Sequence, residues 1–406
     1  MAAETQRRPF SSLSPEEQEI VREKQRLAKE RKKASGSRGQ ESSDQAAGTT
    51  KVGGIEERDY PTKITEEEYF SACPRYFFTD PTLVANEESL ETLMRLVDGD
   101  TVIGSDRRGR EVRLSQYQYF IFTGSPKQIW EPTFYAKLAF EGFFTITNQD
   151  RGGDPLPELQ PFYGVVDWVN FNSSKHMRKE LKKLKDRYQK PDSAVAPGPG
   201  DDKTLDMDSA DGSGSYHMYS NLDLDGTYER LDAYQKSKNG SNWMHKKYFI
   251  TMKVASADPR INFKLHSIEL YDGPVASSGS ESSASASRSP RLIAGEIGYS
   301  IGRVYTSLSG FYEVPGAGTV QLACLGKWLE LKKYAFWSLG HCYSPVMDYK
   351  RQLGHRVYPR ANFLKKLRQH RGNFRTSDAE ADVSAVPDFA ILADGEECNL
   401  RSALDI

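Results

Sequence analysis

Two short apolar-rich runs meet at Gly302-Arg303 in the stretch "GEIGYSIGRVYTSLSGFY" (295–312), and this feature constrains the chain more than any other. A glycine-containing turn between runs rich in β-branched and aromatic residues reads as a β-hairpin. Small residues recur inside it where bulky ones would pack better. Two readings stand: glycines that only make turns, or a backbone that a ligand must approach.

What surrounds the hairpin sets the fold class. "NFKLHSIELYDG" (262–273) alternates as a strand, with Phe263, Leu265, Ile268 and Leu270 as its apolar positions. After the hairpin, "GAGTVQLACLGKWLELKKY" reads as a helix with Val320, Cys324, Trp328 and Leu331 on one side. "AFWSLGH" is a strand, "SPVMDYKRQLG" a helix ended by Gly354, and "YPRANFLKKLRQH" a basic helix starting near Pro359. Strand, hairpin, helix, strand, helix is an α/β order. The first part of the chain is mixed. It predicts a helix over 86–97, a strand-like run over 110–124, a helix over 132–144 stopped by Gly142, and a buried strand within "FYGVVDWVNF" (162–171).

Several segments are too polar to offset chain entropy, although 37% of the 406 residues are hydrophobic. Residues 1–58 read as a disordered extension, 59–160 as an N-terminal α+β domain and 161–372 as a second domain. Polar inserts fall near 191–216 and 274–290, and 373–406 reads as a disordered tail. A net charge of −1 excludes binding of a polyanion by bulk electrostatics, so any nucleic-acid site is local. Cys73, Cys324, Cys342 and Cys398 show no C-x-x-C spacing, which predicts a reduced intracellular compartment and no zinc site. Without an apolar leader or a run of about 18 apolar residues, the expectation is a cytoplasmic protein with no membrane contact.

One local site of positive charge exists. In "SSKHMRKELKKLKDRYQKP" (173–191), Met177, Leu181, Leu184 and Tyr188 form a single apolar stripe at helical spacing. Ser173 or Ser174 suits an N-cap, and Pro191 ends the run. The other faces carry eight basic residues against Glu180 and Asp186. Such a helix is either a solvated face or a phosphate-contacting one.

From about Gln116 to Arg368 the chain resembles leucyl/phenylalanyl-tRNA–protein transferase, and the matching fragments run in order. "LAFEGFF" sits where the family has A-Y-x-x-G-I-F, and "YGVVDW" with "SSKHMRKELKK" matches its strand and basic helix. "DGTYERL" matches G-T-W, and "HSIELYDG" matches H-S-[IV]-E-V-W. "AGEIGYSIGRVYTSLSGFY" lies over the hairpin that ends G-E-S-M-F, "AGTVQLACLGKWL" over the A-S-K helix, and "LGHRVYPRANFLKKL" over the family's final basic segment. The resemblance implies a GNAT-like catalytic domain behind a smaller N-terminal domain. It implies transfer of Leu or Phe from Leu-tRNA or Phe-tRNA to an N-terminal Arg or Lys of an acceptor protein, marking it for N-end rule degradation. No metal or organic cofactor is needed, and a monomer is expected.

The resemblance also places residues. Ile297, Tyr305, Phe311, Leu325 and Leu329 match its apolar aminoacyl pocket, although the same residue types build ordinary cores. Tyr228 takes the G-T-W position and would stack on the terminal adenine of tRNA; a half-buried structural tyrosine is the rival reading. Lys179, Lys182 and Lys183 would meet the tRNA backbone, and Arg360 matches a family arginine. The family's acidic groups are missing. The glutamate of G-E-S-M-F is Leu308, and the aspartate of its L-I-D-C-Q strand falls at Ser338 or Cys342, the weak catalytic candidates. Two other readings remain: a non-catalytic tRNA- or peptide-binding relative, and a GNAT-type acyltransferase using another donor such as an acyl-CoA.

Overall fold

The computed structural model describes residues 60–148, 154–171, 175–189, 216–275, 290–375 and 390–400. The extension 1–58 and nearly all of both polar inserts lie outside the described residues. The first described segment is held by its caps. Strand β1 (Ile64–Thr65) runs into α1 (Glu66–Ser71), where Thr65 and Glu68 form a reciprocal capping box. After β2 (Arg75–Val84), Asn86 caps α2 (Glu87–Asp98), whose Leu90, Leu93, Met94 and Val97 turn inward. A small hairpin of β3 (Val102–Ser105) and β4 (Glu111–Arg113) leads to β5 (Tyr117–Thr123). Next come α3 (Pro126–Ile129), α4 (Pro132–Phe140), β6 (Phe144–Asn148) and β7 (Asp154–Glu158). Gly142 lies just beyond the end of α4, the stop read from the sequence, and a proline occupies the helix's first turn. These strands form a four-stranded sheet of order β2-β5-β7-β6.

The rest builds an eight-stranded sheet. Its strands are β8 (Phe162–Val166), β9 (His217–Ser220), β10 (Lys264–Tyr271), β11 (Leu292–Ile301) and β12 (Val304–Tyr312). They are joined by β13 (Phe336–Gly340), β15 (Arg356–Pro359) and β16 (Glu396–Cys398), while β14 (Tyr343–Ser344) pairs with β1 instead. Sheet order is β15-β8-β13-β12-β11-β10-β9-β16, and every neighbouring pair is antiparallel except β12 with β13. The hairpin turn needs its glycine. Gly302 has φ +52°, and a Cβ there would lie 2.6 Å from the backbone of His370 and Arg371.

Helices cover both faces. On one side, α4 packs with α6 (Leu224–Asn239), α7 (Lys246–Ser256) and α9 (Arg360–His370) over Val304 and Phe336. On the other, α5 (Lys175–Gln189) and α8 (Ala317–Leu331) cover Tyr305 and Trp337. Successive strand residues point to opposite faces, so adjacent positions feed different cores. This is a mixed α/β fold.

Three expectations need correcting. The domain boundary near residue 160 is not a break in packing, because one core joins Leu83 and Phe120 to Tyr299 and Phe363. The tail is not excluded from the fold: β16 adds an edge strand to β9, with Leu392, Cys398 and Leu400 buried. Leu331 is 57% exposed although Val320, Cys324 and Trp328 are buried, because α8 ends at that residue.

Candidate active site in a fork between two strands

The single parallel pairing of the large sheet is short. Val304–Thr306 lie against Phe336–Ser338, and then the strands part. Beyond that point β12 continues along β11 alone, while Gly340 of β13 pairs with Gly164 of β8. The chain leaves β12 into α8, leaves β13 into a 3-10 turn (Asp348–Leu353), and a cavity of about 820 Å³ opens in the fork. A crevice beyond the carboxyl ends of parallel strands is where open α/β sheets place ligands. Its volume is within the range of small-molecule sites.

A carboxylate is buried in its wall. Glu296 of β11 is 3% exposed, and its Oε1 accepts hydrogen bonds from Tyr305 Oη at 3.0 Å and Ser307 Oγ at 2.8 Å. Ser307 in turn accepts from Trp337 Nε1 at 2.8 Å, which fixes the hydroxyl as a donor to Glu296. Burial pushes the Glu296 carboxyl up to about 7, and the hydroxyls of Ser307 and Tyr305 hold it from rising further. Gly298 makes this possible. A Cβ there would sit 2.4 Å from Tyr305 Oη, so the glycine admits the tyrosine beside the carboxylate. Here the small residue serves a neighbouring side chain.

Opposite stands a buried amine. Lys350, from the 3-10 turn, is 7% exposed and borders the same cavity. Its ammonium donates to the carbonyls of Leu339 and, at 2.7 Å, His341. It therefore satisfies the end of β13 where the sheet ceases to do so. Burial draws its pKa down to about 8, against the pull of Cys342 and Glu296, which leaves it mostly cationic at pH 7.

The residues predicted from the sequence are distributed unevenly around this cavity. Phe311 borders it and Lys183 stands at its rim, paired with Glu180 at 2.8 Å. Lys179 and Lys182 are exposed on the same helix; Met177 is buried and Leu181 half-buried beneath it. The side chains of Leu184 and Tyr188, and the capping serines 173 and 174, lie outside the described residues. Ile297, Tyr305, Leu325 and Leu329 are fully buried and do not border the cavity. Ile297 packs into the core with α4 and α6, while Leu325 and Leu329, on the buried face of α8, share the opposite core with Tyr305.

Tyr228 is not presented to a ligand. Its hydroxyl donates to Met244 O at 3.0 Å and its ring stacks on Phe249 with centroids 4.0 Å apart. Arg360 is also committed within the fold. Its guanidinium donates to the carbonyls of Gln160, Ser115, Tyr117 and Leu159 and contacts Cys73 Sγ, tying α9 to the first sheet. Ser338 is 2% exposed within β13, and Cys342 packs against Ile64, Tyr69 and Val357. Burial pushes the Cys342 thiol up to about 12, so it is not a thiolate at neutral pH. His341 turns away from the fork to Glu158, 3.1 Å from Oε1.

Glu296 and Lys350 were missed by sequence reasoning. The available signal was a lone glutamate between apolar and glycine residues in "AGEIGYS", on a strand with both faces covered. Among the described residues no helix is long and apolar enough to cross a membrane. No protein-family model matches the chain, and no curated protein matches it in sequence.

Proposed function

We propose that the fork is the active site of an aminoacyltransferase moving Leu or Phe from aminoacyl-tRNA to the N-terminal amine of an acceptor protein. The catalytic region would then be GNAT-like. The observation that carries this is Glu296, a buried carboxyl poised near 7 on the wall of a cavity large enough for an activated ester. An α-amine titrates at about 7.7–8.0, so a base of this strength is matched to it. Glu296 takes the proton as the amine attacks the ester carbonyl. The C–N bond forms, the C–O bond breaks, and the proton passes to the departing 3′-oxygen of the tRNA. The Lys350 ammonium adds positive potential where negative charge develops on the carbonyl oxygen.

Leu308, Phe311, Leu322, Leu339 and Leu353 supply the apolar lining, which favours Leu and Phe over polar side chains by transfer free energy. The glutamate that the family carries at the position of Leu308 is replaced by one on the neighbouring strand. Lys183 at the rim, with Lys179 and Lys182 exposed on the same helix, gives that side of the fork the charge to hold an RNA backbone. A carboxyl and an ammonium facing one cavity favour catalysis over a binding-only relative.

The test is incubation of the full chain with radiolabelled Leu-tRNA or Phe-tRNA and a peptide beginning with Arg. Label in the peptide is expected. Binding of tRNA without transfer overturns the catalytic reading, and labelling by acyl-CoA alone moves the donor to another class.

A further inference from the structure

The transfer chemistry gives no part to the hydroxyl beside the buried carboxylate. Ser307 is the first residue of β12 beyond its last pairing with β13, Thr306 against Ser338, so it stands at the root of the fork. The strand bulges there: Gly298 pairs with Ser307 and Ile297 with Ser309, which leaves Leu308 as the extra residue. Ser307 is half-buried and borders the cavity. Its Oγ donates to Glu296 Oε1 at 2.8 Å and accepts from Trp337 Nε1 at 2.8 Å. Tyr305 Oη, 3.0 Å from the same carboxylate oxygen, holds that group in place. In the G-E-S-M-F pattern, with its glutamate at Leu308, a glycine stands where this chain has Ser307, so the resemblance gives the hydroxyl no task.

The arrangement has a direction. A hydroxyl becomes a nucleophile when a base lies within about 2.6–3.2 Å of it and a third group orients the base. Glu296 is that base and Tyr305 that third group. Trp337 Nε1–H occupies one lone pair of Oγ, the hydroxyl proton points to Glu296, and one lone pair is left for attack. We propose that Ser307 is a covalent nucleophile that takes the aminoacyl group from the ester before the acceptor amine does. This rests on the aminoacyl-tRNA reading of the fork and divides its single displacement into two. In the first, Oγ bonds to the carbonyl carbon while its proton passes to Glu296. The bond from that carbon to the tRNA 3′-oxygen breaks, and Glu296 returns the proton to the departing oxygen. In the second, the neutral amine bonds to the same carbon, the C–Oγ bond breaks, and Glu296 carries a proton from nitrogen to Oγ, restoring the hydroxyl. Neither step changes an oxidation state. The tRNA can leave before the acceptor enters, so one cavity of about 820 Å³ serves the two substrates in turn.

The experiment mixes the full chain with Phe-tRNA labelled in its amino acid, without acceptor, and quenches in acid. Label should stay on the protein after RNase treatment, map to the peptide that contains Ser307 and be released by hydroxylamine. With a peptide beginning with Arg present, initial rates against both substrates should give parallel double-reciprocal lines. Ser307→Ala should lose the protein label and slow transfer by about 10²–10⁴-fold, and adding Glu296→Gln should slow it no further, since the two act on one step. Ser307→Cys should restore the label as a thioester. Peptide labelling with converging lines and an unlabelled protein, or with Ser307→Ala as fast as the wild type, removes the intermediate and leaves transfer standing. If the wild-type chain labels neither itself nor the peptide, the intermediate and the aminoacyl-tRNA reading fall together.

Discussion

Replacing Glu296 by Gln separates the two consequences of burying a carboxyl. Gln has nearly the same shape, and its amide oxygen accepts the hydroxyls of Tyr305 and Ser307 as the carboxylate does. It provides no base, so transfer to the peptide should fall by about 10²–10⁴-fold. Stability should move the other way. The folded pKa, about 7, lies above the unfolded value near 4.3, so the native state holds the proton more tightly between these values. The contribution of Glu296 to wild-type stability is therefore greatest below about pH 4.3, declines as pH rises to 7 and is flat above it. A tenfold difference in proton affinity is worth about 1.4 kcal/mol, so ionising Glu296 costs the wild type on the order of 4 kcal/mol at pH 8. Glu296→Gln escapes that cost, and its urea midpoint should gain on the wild type between pH 5 and pH 8. Peptide labelling and urea unfolding at the two pH values read both effects. A variant that keeps full transfer, with the same pH dependence of stability as the wild type, would refute the reasoning.

Further outcomes follow from the same geometry. Lys350→Met strips the donor from the Leu339 and His341 carbonyls and should destabilise the fold by about 2 kcal/mol in urea unfolding. With its folded pKa near 8, below the free value, wild-type Lys350 should make stability rise between pH 8 and 10, a rise absent from the Met variant. Replacing Lys179, Lys182 and Lys183 together by Ala should weaken tRNA binding and reduce its salt slope by about two; an unchanged slope would mean a merely solvated helix. Arg360→Met should cost about 3 kcal/mol of stability, since several buried carbonyls lose their donor. Unchanged unfolding with weakened tRNA binding would return Arg360 to the RNA.

How much of this was readable from residues depends on the range of the interaction. Local chemistry was legible: Gly142, Gly302 and Gly354 punctuate elements through backbone geometry that each encodes by itself. Strand β16 was hidden because its anchors, Leu392, Cys398 and Leu400, are sparse and lie among polar residues with no period. The fork was hidden because it depends on β12 pairing with a strand that lies beyond α8, then leaving it after three residues. The pocket residues were misplaced for a related reason. Ile297, Tyr305, Leu325 and Leu329 are apolar, and composition does not distinguish a filled interior from a lined cavity. A carboxylate was sought along the same strand, at Leu308, whereas the one that borders the cavity, Glu296, comes from the adjacent strand.

The account reduces to a claim about where the aminoacyl group sits. A crystal structure with an amide-linked phenylalanyl-adenosine, which cannot transfer its amino acid, tests this most directly. The account predicts the phenylalanyl side chain among Leu308, Phe311 and Leu353, with the carbonyl carbon next to Glu296. An analogue bound elsewhere, or a fork left without it at saturating concentration, would contradict it.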